Sequence, residues 1–252
     1  MDLNPIDIGL LVFVLAAISL GGLFKGMTGL GLPMFAVPAL AVVTSVEEAV
    51  VLMIIPGLGA NLWMVYRHRQ FASLLREHLP FLISGFLGGI AGTSLLIVLD
   101  DRWLKLILAS WLALYLLQYF FKSNSLGLFR GRGRFAYVLG ATAGTIQGAT
   151  GISAQIIAPY YHGRSLAPAA YAFLVTSTFL VLGISQTATA FATELFTAER
   201  LQLGLIALVP ALLFTRIGIR FAQRVSQQTF DRVLLFTFCL MEIKLILDIV
   251  RA

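Results

Sequence analysis

Charge is scarce in this chain. Only 12% of its 252 residues are Asp, Glu, Lys or Arg, about half the share usual in a soluble domain. With 59% hydrophobic residues, the chain lacks the polar surface that a water-soluble fold of this length would show to solvent, which argues against a soluble enzyme. Cysteine is nearly missing: Cys239 stands alone, so no intrachain disulfide can form. Histidine is sparse too, with three in the chain. His68, His78 and His162 are far apart and have no metal-ligand spacing. No phosphate-binding Walker loop, nucleophile elbow or HExxH pair occurs, so no catalytic residue, metal or cofactor is expected. Lys and Arg outnumber Asp and Glu by 18 to 12, a formal charge of +6. Yet no basic stretch is interleaved with aromatic or polar residues as nucleic-acid binding requires, and none is expected as a partner.

What is present is a series of apolar runs. Six are continuous, at about 49–66, 79–99, 104–121, 169–191, 202–220 and 231–250. Each is long enough to cross a hydrocarbon core about 30 Å thick, so the lipid bilayer is the expected partner. Two further regions, about 8–44 and 135–160, are apolar but interrupted by glycine and proline. Such interruptions fit broken or re-entrant helices whose freed backbone groups face protein rather than lipid. The first run, Ile8 to Phe24, is flanked by Asp2 and Asp7 rather than by Lys or Arg, and reads as part of the fold rather than a signal peptide. The expected class is an all-α, polytopic membrane protein of about eight apolar segments.

The chain repeats itself. At an offset of 122, Gly22, Gly26, Thr28 and Gly29 fall on Gly144, Gly148, Thr150 and Gly151. At an offset of 130, Pro80, Gly88, Asp101 and Arg102 fall on Pro210, Gly218, Asp231 and Arg232. Residues 1–122 and 135–252 are thus read as two repeats, joined by a basic linker at 123–134. Loops rich in Lys and Arg mark the cytoplasmic side. These are the loop with Arg67, Arg69 and Arg76, the linker with Lys122, Arg130, Arg132 and Arg134, and the loop with Arg220, Arg224 and Arg232. Loops around Asp100 and around Glu194 and Glu199 then lie outside. Equivalent loops fall on opposite sides, which makes the repeats inverted, each a re-entrant or broken hairpin followed by three spans. Both termini are expected to be external.

The two hairpin tips carry the informative residues. The first reads KGMTGLGLPMFAVP from Lys25, and the second QGATGISAQIIAP from Gln147. Inverted repeats with broken helices place substrates near the midplane, where half-helix ends meet. Glycine allows the turn and exposes N–H groups that favour an anion. The candidate substrate-binding set is Lys25, Gly26, Thr28, Gly29 and Gly31 from the first tip. Gln147, Gly148, Thr150, Gly151, Ser153 and Gln155 come from the second. Lys25 would supply charge, and the hydroxyls of Thr28, Thr150 and Ser153 would donate. Two alternatives stay open: glycines four apart also serve close helix packing, and Lys25 could snorkel to the cytoplasmic side. Asn61, Gln186 and Ser185 could line a cavity or bond between helices. Glu242, near the centre of the last span, could couple a proton or pair with a neighbouring helix or subunit.

At these tips the chain resembles the sulfite exporter TauE/SafE family of membrane transporters. The resemblance rests on GLFKGMTGLGLPMFAVPAL at Gly22–Leu40 and GTIQGATGISAQIIAP at Gly144–Pro159, with the length, basic central loop and span pattern. It implies transport of a small, mostly sulfur-containing anion, such as sulfite, thiosulfate or sulfoacetate, across a bacterial inner membrane. Leu30, Leu32 and Pro33, and Ser153, Ala154 and Gln155, interrupt the denser glycine run usual in that family. The expected function is therefore a secondary anion transporter working by alternating access. An anion channel and a non-transporting scaffold or accessory subunit are the alternatives. A coupling ion, H+ or Na+, and a homo-oligomer are compatible with the sequence.

Overall fold

The computed structural model describes residues 5–29, 31–120, 134–162, 164, 166–222 and 227–251. Among them there is no strand. Ten α-helices follow one another: α1 Pro5–Thr28, α2 Leu32–Ala41, α3 Val46–Arg67, α4 Leu79–Val98, α5 Asp101–Phe120, α6 Arg134–Thr150, α7 Ala154–His162, α8 Pro168–Ala192, α9 Ala198–Phe221 and α10 Gln227–Arg251. A 3₁₀ segment, Arg69–His78, links α3 to α4. Five stretches among the described residues are long and apolar enough to cross a membrane: Gly9–Thr28, Val46–Arg67, Arg69–Val98, Pro168–Ala192 and Ala198–Phe221. The helices α5 and α10 run for 20 and 25 residues. The six continuous runs all become helices within a few residues of their expected limits. Lys122, Arg130, Arg132 and Arg224, used above to orient the chain, lie outside the described residues, as do Leu30 and most of the linker.

Local chemistry sets the helix ends. Ser45 caps α3 by accepting from the Glu48 N–H at 3.0 Å, with Glu47 and Glu48 in the first turn, where the helix dipole favours acids. Thr197 caps α9 in the same way, accepting from the Arg200 N–H at 3.2 Å. The α1–α2 and α6–α7 breaks follow Gly29 and Gly151. Both have φ +71°, the left-handed conformation that ends a helix and that other residues adopt only with strain.

The two broken regions differ in length. At 17 residues, α6 spans about 25 Å, whereas α1, at 24, reaches about 36 Å and could cross on its own. A re-entrant hairpin at 135–160 matched by a longer one at 8–44 was expected, and α1 is the longer first arm. Its small residues do not interrupt it because it is packed along α9.

Packing exchanges partners between the halves of the chain. The helix α1 lies on α9, and α6 lies on α4; α3 and α8 meet in the middle. Glycine permits these crossings. A Cβ on Gly26 would come within 2.2 Å of the Thr215 carbonyl oxygen, and one on Gly144 within 2.0 Å of that of Gly85. On lipid-facing helices, where apolar burial supplies little drive, such backbone-to-backbone approach is a main source of cohesion. At one end of the molecule, Arg200 ties α9 to α3, contacting Glu47 at 2.8 Å and Glu48 at 2.6 Å.

Candidate functional site

The two breaks meet. A Cβ on Gly151 would stand 3.0 Å from Val37 Cγ2 and 3.4 Å from Pro33 Cβ, so the second break presses against the start of α2. Between the breaks and the middle of α3 and α8 lies a cavity of about 20 Å³. Its polar lining comes from Asn61, Gln147 and Gln186; Gly31, Pro33 and Gly151 supply the break backbone. That volume holds about one water-sized molecule.

The two breaks are built alike. The Gly29 N–H donates to the Lys25 carbonyl at 2.8 Å, and the Gly151 N–H to the Gln147 carbonyl at 2.7 Å. Beyond the break, Met34 N–H donates to the Gly31 carbonyl and Ile156 N–H to the Ser153 carbonyl, both at 3.1 Å. Each break also sends the residue before its Gly-x-Thr-Gly run toward an amide on the long helix that follows. Lys25 Nζ donates to Asn61 Oδ1 at 2.5 Å. Gln147 Nε2 lies 3.4 Å from Gln186 Oε1, and Gln186 Nε2 donates to the Gln147 carbonyl at 3.0 Å.

Lys25 is the unusual member. It is 1% exposed, so it does not snorkel. Its ammonium sits 5.9 Å from the centre of the Phe179 ring, and no carboxylate among the described residues lies within ion-pair distance of it. A buried cation without a counter-charge costs several kcal/mol, which Asn61 and a ring face offset only in part. An anion placed beside it would supply the missing charge.

A family model for the sulfite exporter TauE/SafE matches residues 14–245. The chain belongs to the sulfite exporter TauE/SafE family. No curated protein and no solved structure matches it. As a TauE/SafE protein with several apolar helices, it is a multi-pass membrane protein of a transporter family.

Within this TauE/SafE chain, the candidate residues divide by where their side chains go. Gly31, Asn61, Gln147, Gly151 and Gln186 line the cavity; Lys25 is not part of the lining and reaches it through its bond to Asn61. Gly29, which shapes the first break, has open space where a Cβ would stand. Gly26 and Gly148 lie at the α1–α9 and α4–α6 crossings, where backbone approach accounts for them. The threonines do not offer their hydroxyl protons as expected. Thr28 and Thr150 donate to the carbonyls of Phe24 and Ile146, one helical turn back, at 2.9 and 2.7 Å. Ser153 Oγ donates to Gln147 Oε1 at 2.8 Å. Gln155 turns toward α5, where its Oε1 accepts from Trp111 Nε1 at 2.9 Å. Ser185 donates to the Leu182 carbonyl at 2.7 Å. Glu242 is buried on α10, a helix packed on α5 and α2, and does not line the cavity.

The cavity also includes Gly57, Phe179 and Gly183, which sequence reasoning passed over. The two glycines carried a usable signal, since each sits in the interior of a long apolar span. Phe179 carried none, because an aromatic in an apolar run reads as ordinary core.

Proposed function

We propose that this protein is a secondary transporter that moves a small sulfur-containing anion, an oxyanion or organosulfonate such as sulfite, thiosulfate or sulfoacetate, across the bacterial inner membrane. The single observation that carries this is Lys25, buried at the meeting point of two helix breaks and held only by neutral partners. The anion would take the place beside its ammonium. Asn61, Gln147 and Gln186 would orient it through their amide N–H groups, and break-backbone N–H groups would help to hold it.

The proposed mechanism is alternating access between two inverted halves, residues 1–122 and 135–252. The exchange of helix partners supports it: α1 on α9 and α6 on α4 are equivalent contacts under the sequence offsets. Basic residues on opposite equivalent loops support the inversion. A cavity of about 20 Å³ is too small for a sulfonate, so loading requires the halves to move apart around the breaks. Coupling to H+ or Na+ would drive accumulation. Glu242, whose Oε2 is buried with no partner among the described residues, is the carboxylate proposed for a proton-coupled cycle.

A thermal-unfolding screen of the purified protein against sulfite, thiosulfate, short sulfonates and short carboxylates tests the reading. At about a hundred times Kd, a true ligand contributes roughly 2.7 kcal/mol and raises the transition clearly. A sulfur-containing anion is expected to do so. A protein that no anion stabilises would be a scaffold rather than a transporter of this class.

A further inference from the structure

A second basic site lies away from the breaks, between α3 and α9. There a groove of about 500 Å³ is lined by Trp63, Arg67, Leu212, Leu213 and Arg216. Both arginines are exposed, and neither forms an ion pair among the described residues. The Arg67 guanidinium lies 5.9 Å from the centre of the Trp63 ring, which positions the charge beside an aromatic. Leu213 in its lining is 54% exposed, and Leu62, next to Trp63 in the chain, is 57% exposed, so the groove is flanked by exposed apolar side chains.

Another cleft sharpens the comparison. It is of similar size, about 550 Å³, and is lined by Asp100, Arg102, Trp103, Leu106 and Ile249. That cleft also combines an arginine, a tryptophan and apolar residues, but it carries its own carboxylate. The Arg67–Arg216 groove has two cations and no acid in its lining, and therefore lacks only a negative group.

We infer that the Arg67–Arg216 groove binds the phosphodiester headgroup of an anionic phospholipid, with an acyl chain lying over Leu212 and Leu213. Guanidinium forks match phosphate oxygens in a bidentate way that a lysine could not. Basic pockets between membrane helices are suited to anionic headgroups, and a tryptophan at headgroup level anchors the interface. The apolar flank distinguishes a lipid from a free anion, which would gain nothing from the leucines. This site is independent of the Lys25 reading, because it shares no residue with the cavity between the breaks.

The test uses the full-length protein in a neutral detergent, with phosphatidylglycerol, phosphatidylcholine or inorganic phosphate added. Phosphatidylglycerol is expected to raise the unfolding temperature by about 5 °C and to stay bound in native mass spectrometry. Phosphatidylcholine and inorganic phosphate are expected to do neither. The Arg67→Gln/Arg216→Gln variant should lose both effects, whereas Arg102→Gln, at the other cleft, should keep them. Equal stabilisation by phosphatidylcholine, equal stabilisation by inorganic phosphate, or full retention of phosphatidylglycerol by the double variant would each overturn the assignment. Because both substituted arginines are exposed, the double variant should fold, and its unfolding temperature without lipid checks this.

Discussion

The two breaks have the same backbone and different chemistry. Gly29 and Gly151 share φ +71° and cap their helices through bonds of 2.8 and 2.7 Å to residues 25 and 147. Past that point they diverge. At the second break Gln147 is bonded by Ser153 and by Gln186, all neutral groups, and the buried Gln155 Nε2 has no partner among the described residues. The first buries an ammonium and gives it one amide oxygen. The shared backbone therefore accounts for the shape of the centre, and a single position within it accounts for the charge. Together the two breaks set a frame of neutral amides beside a single cation.

The crossings that hold the breaks in place offer the largest way to disturb this pairing. At the α4–α6 crossing a Cβ on Gly144 would be 2.0 Å from the Gly85 carbonyl oxygen, whereas at α1–α9 one on Gly22 would be 2.8 Å from that of Ala211. Neither gap accepts a side chain. Gly144→Leu is expected to abolish recovery of folded protein. Gly22→Leu should be severe but less complete, and Gly9→Leu, with nothing within 4 Å, should be tolerated. Yield and elution profile after detergent extraction would rank the three.

A middle-sized effect comes from making the two breaks chemically alike. Lys25→Gln removes a buried charge that has no counter-ion, so the anion-free protein should become more stable by about 1 to 2 kcal/mol. The same substitution should erase stabilisation by any anion. Thermal unfolding with and without ligand reads both arms at once. A variant that is less stable without anion would mean that Lys25 is structural.

The smallest expected effect separates conformation from crowding. Gly29→Ala meets open space, so it should cost only the left-handed penalty, about 1 kcal/mol. Gly151→Ala pays that and also meets Val37 Cγ2 at 3.0 Å, so about 2 kcal/mol is expected. Adding Val37→Ala to both should narrow the difference, and equal losses without it would show that α2 yields freely.

Much of the fold was legible because lipid imposes simple demands. Runs of apolar residues had to be helices, and the spans at 49–66 and 169–191 fall inside α3 and α8. Glycine and proline betrayed the breaks for the same reason, since a helix ends only where its backbone can be satisfied otherwise. The direction of side chains was not legible. Thr28 and Thr150 repeat perfectly in sequence, yet both hydroxyls turn back onto their own helices. Gln155 follows the second break but joins Trp111, a partner 44 residues away. Nor could spacing separate the glycines that pack, Gly26 and Gly148, from Gly31 and Gly151, which line the cavity. That distinction depends on which neighbouring helix lies opposite, and the partner helices come from the other half of the chain.

Lys25 is the residue proposed to hold the transported anion. The most direct test of this role is counterflow of ³⁵S-labelled sulfite or thiosulfate into liposomes containing the purified protein, comparing the unaltered chain with Lys25→Ala. Saturable counterflow is expected for the former and a loss of at least about a hundredfold for the latter, the size expected when a buried charge contact to the substrate is removed. Counterflow by Lys25→Ala at the unaltered rate would contradict this role.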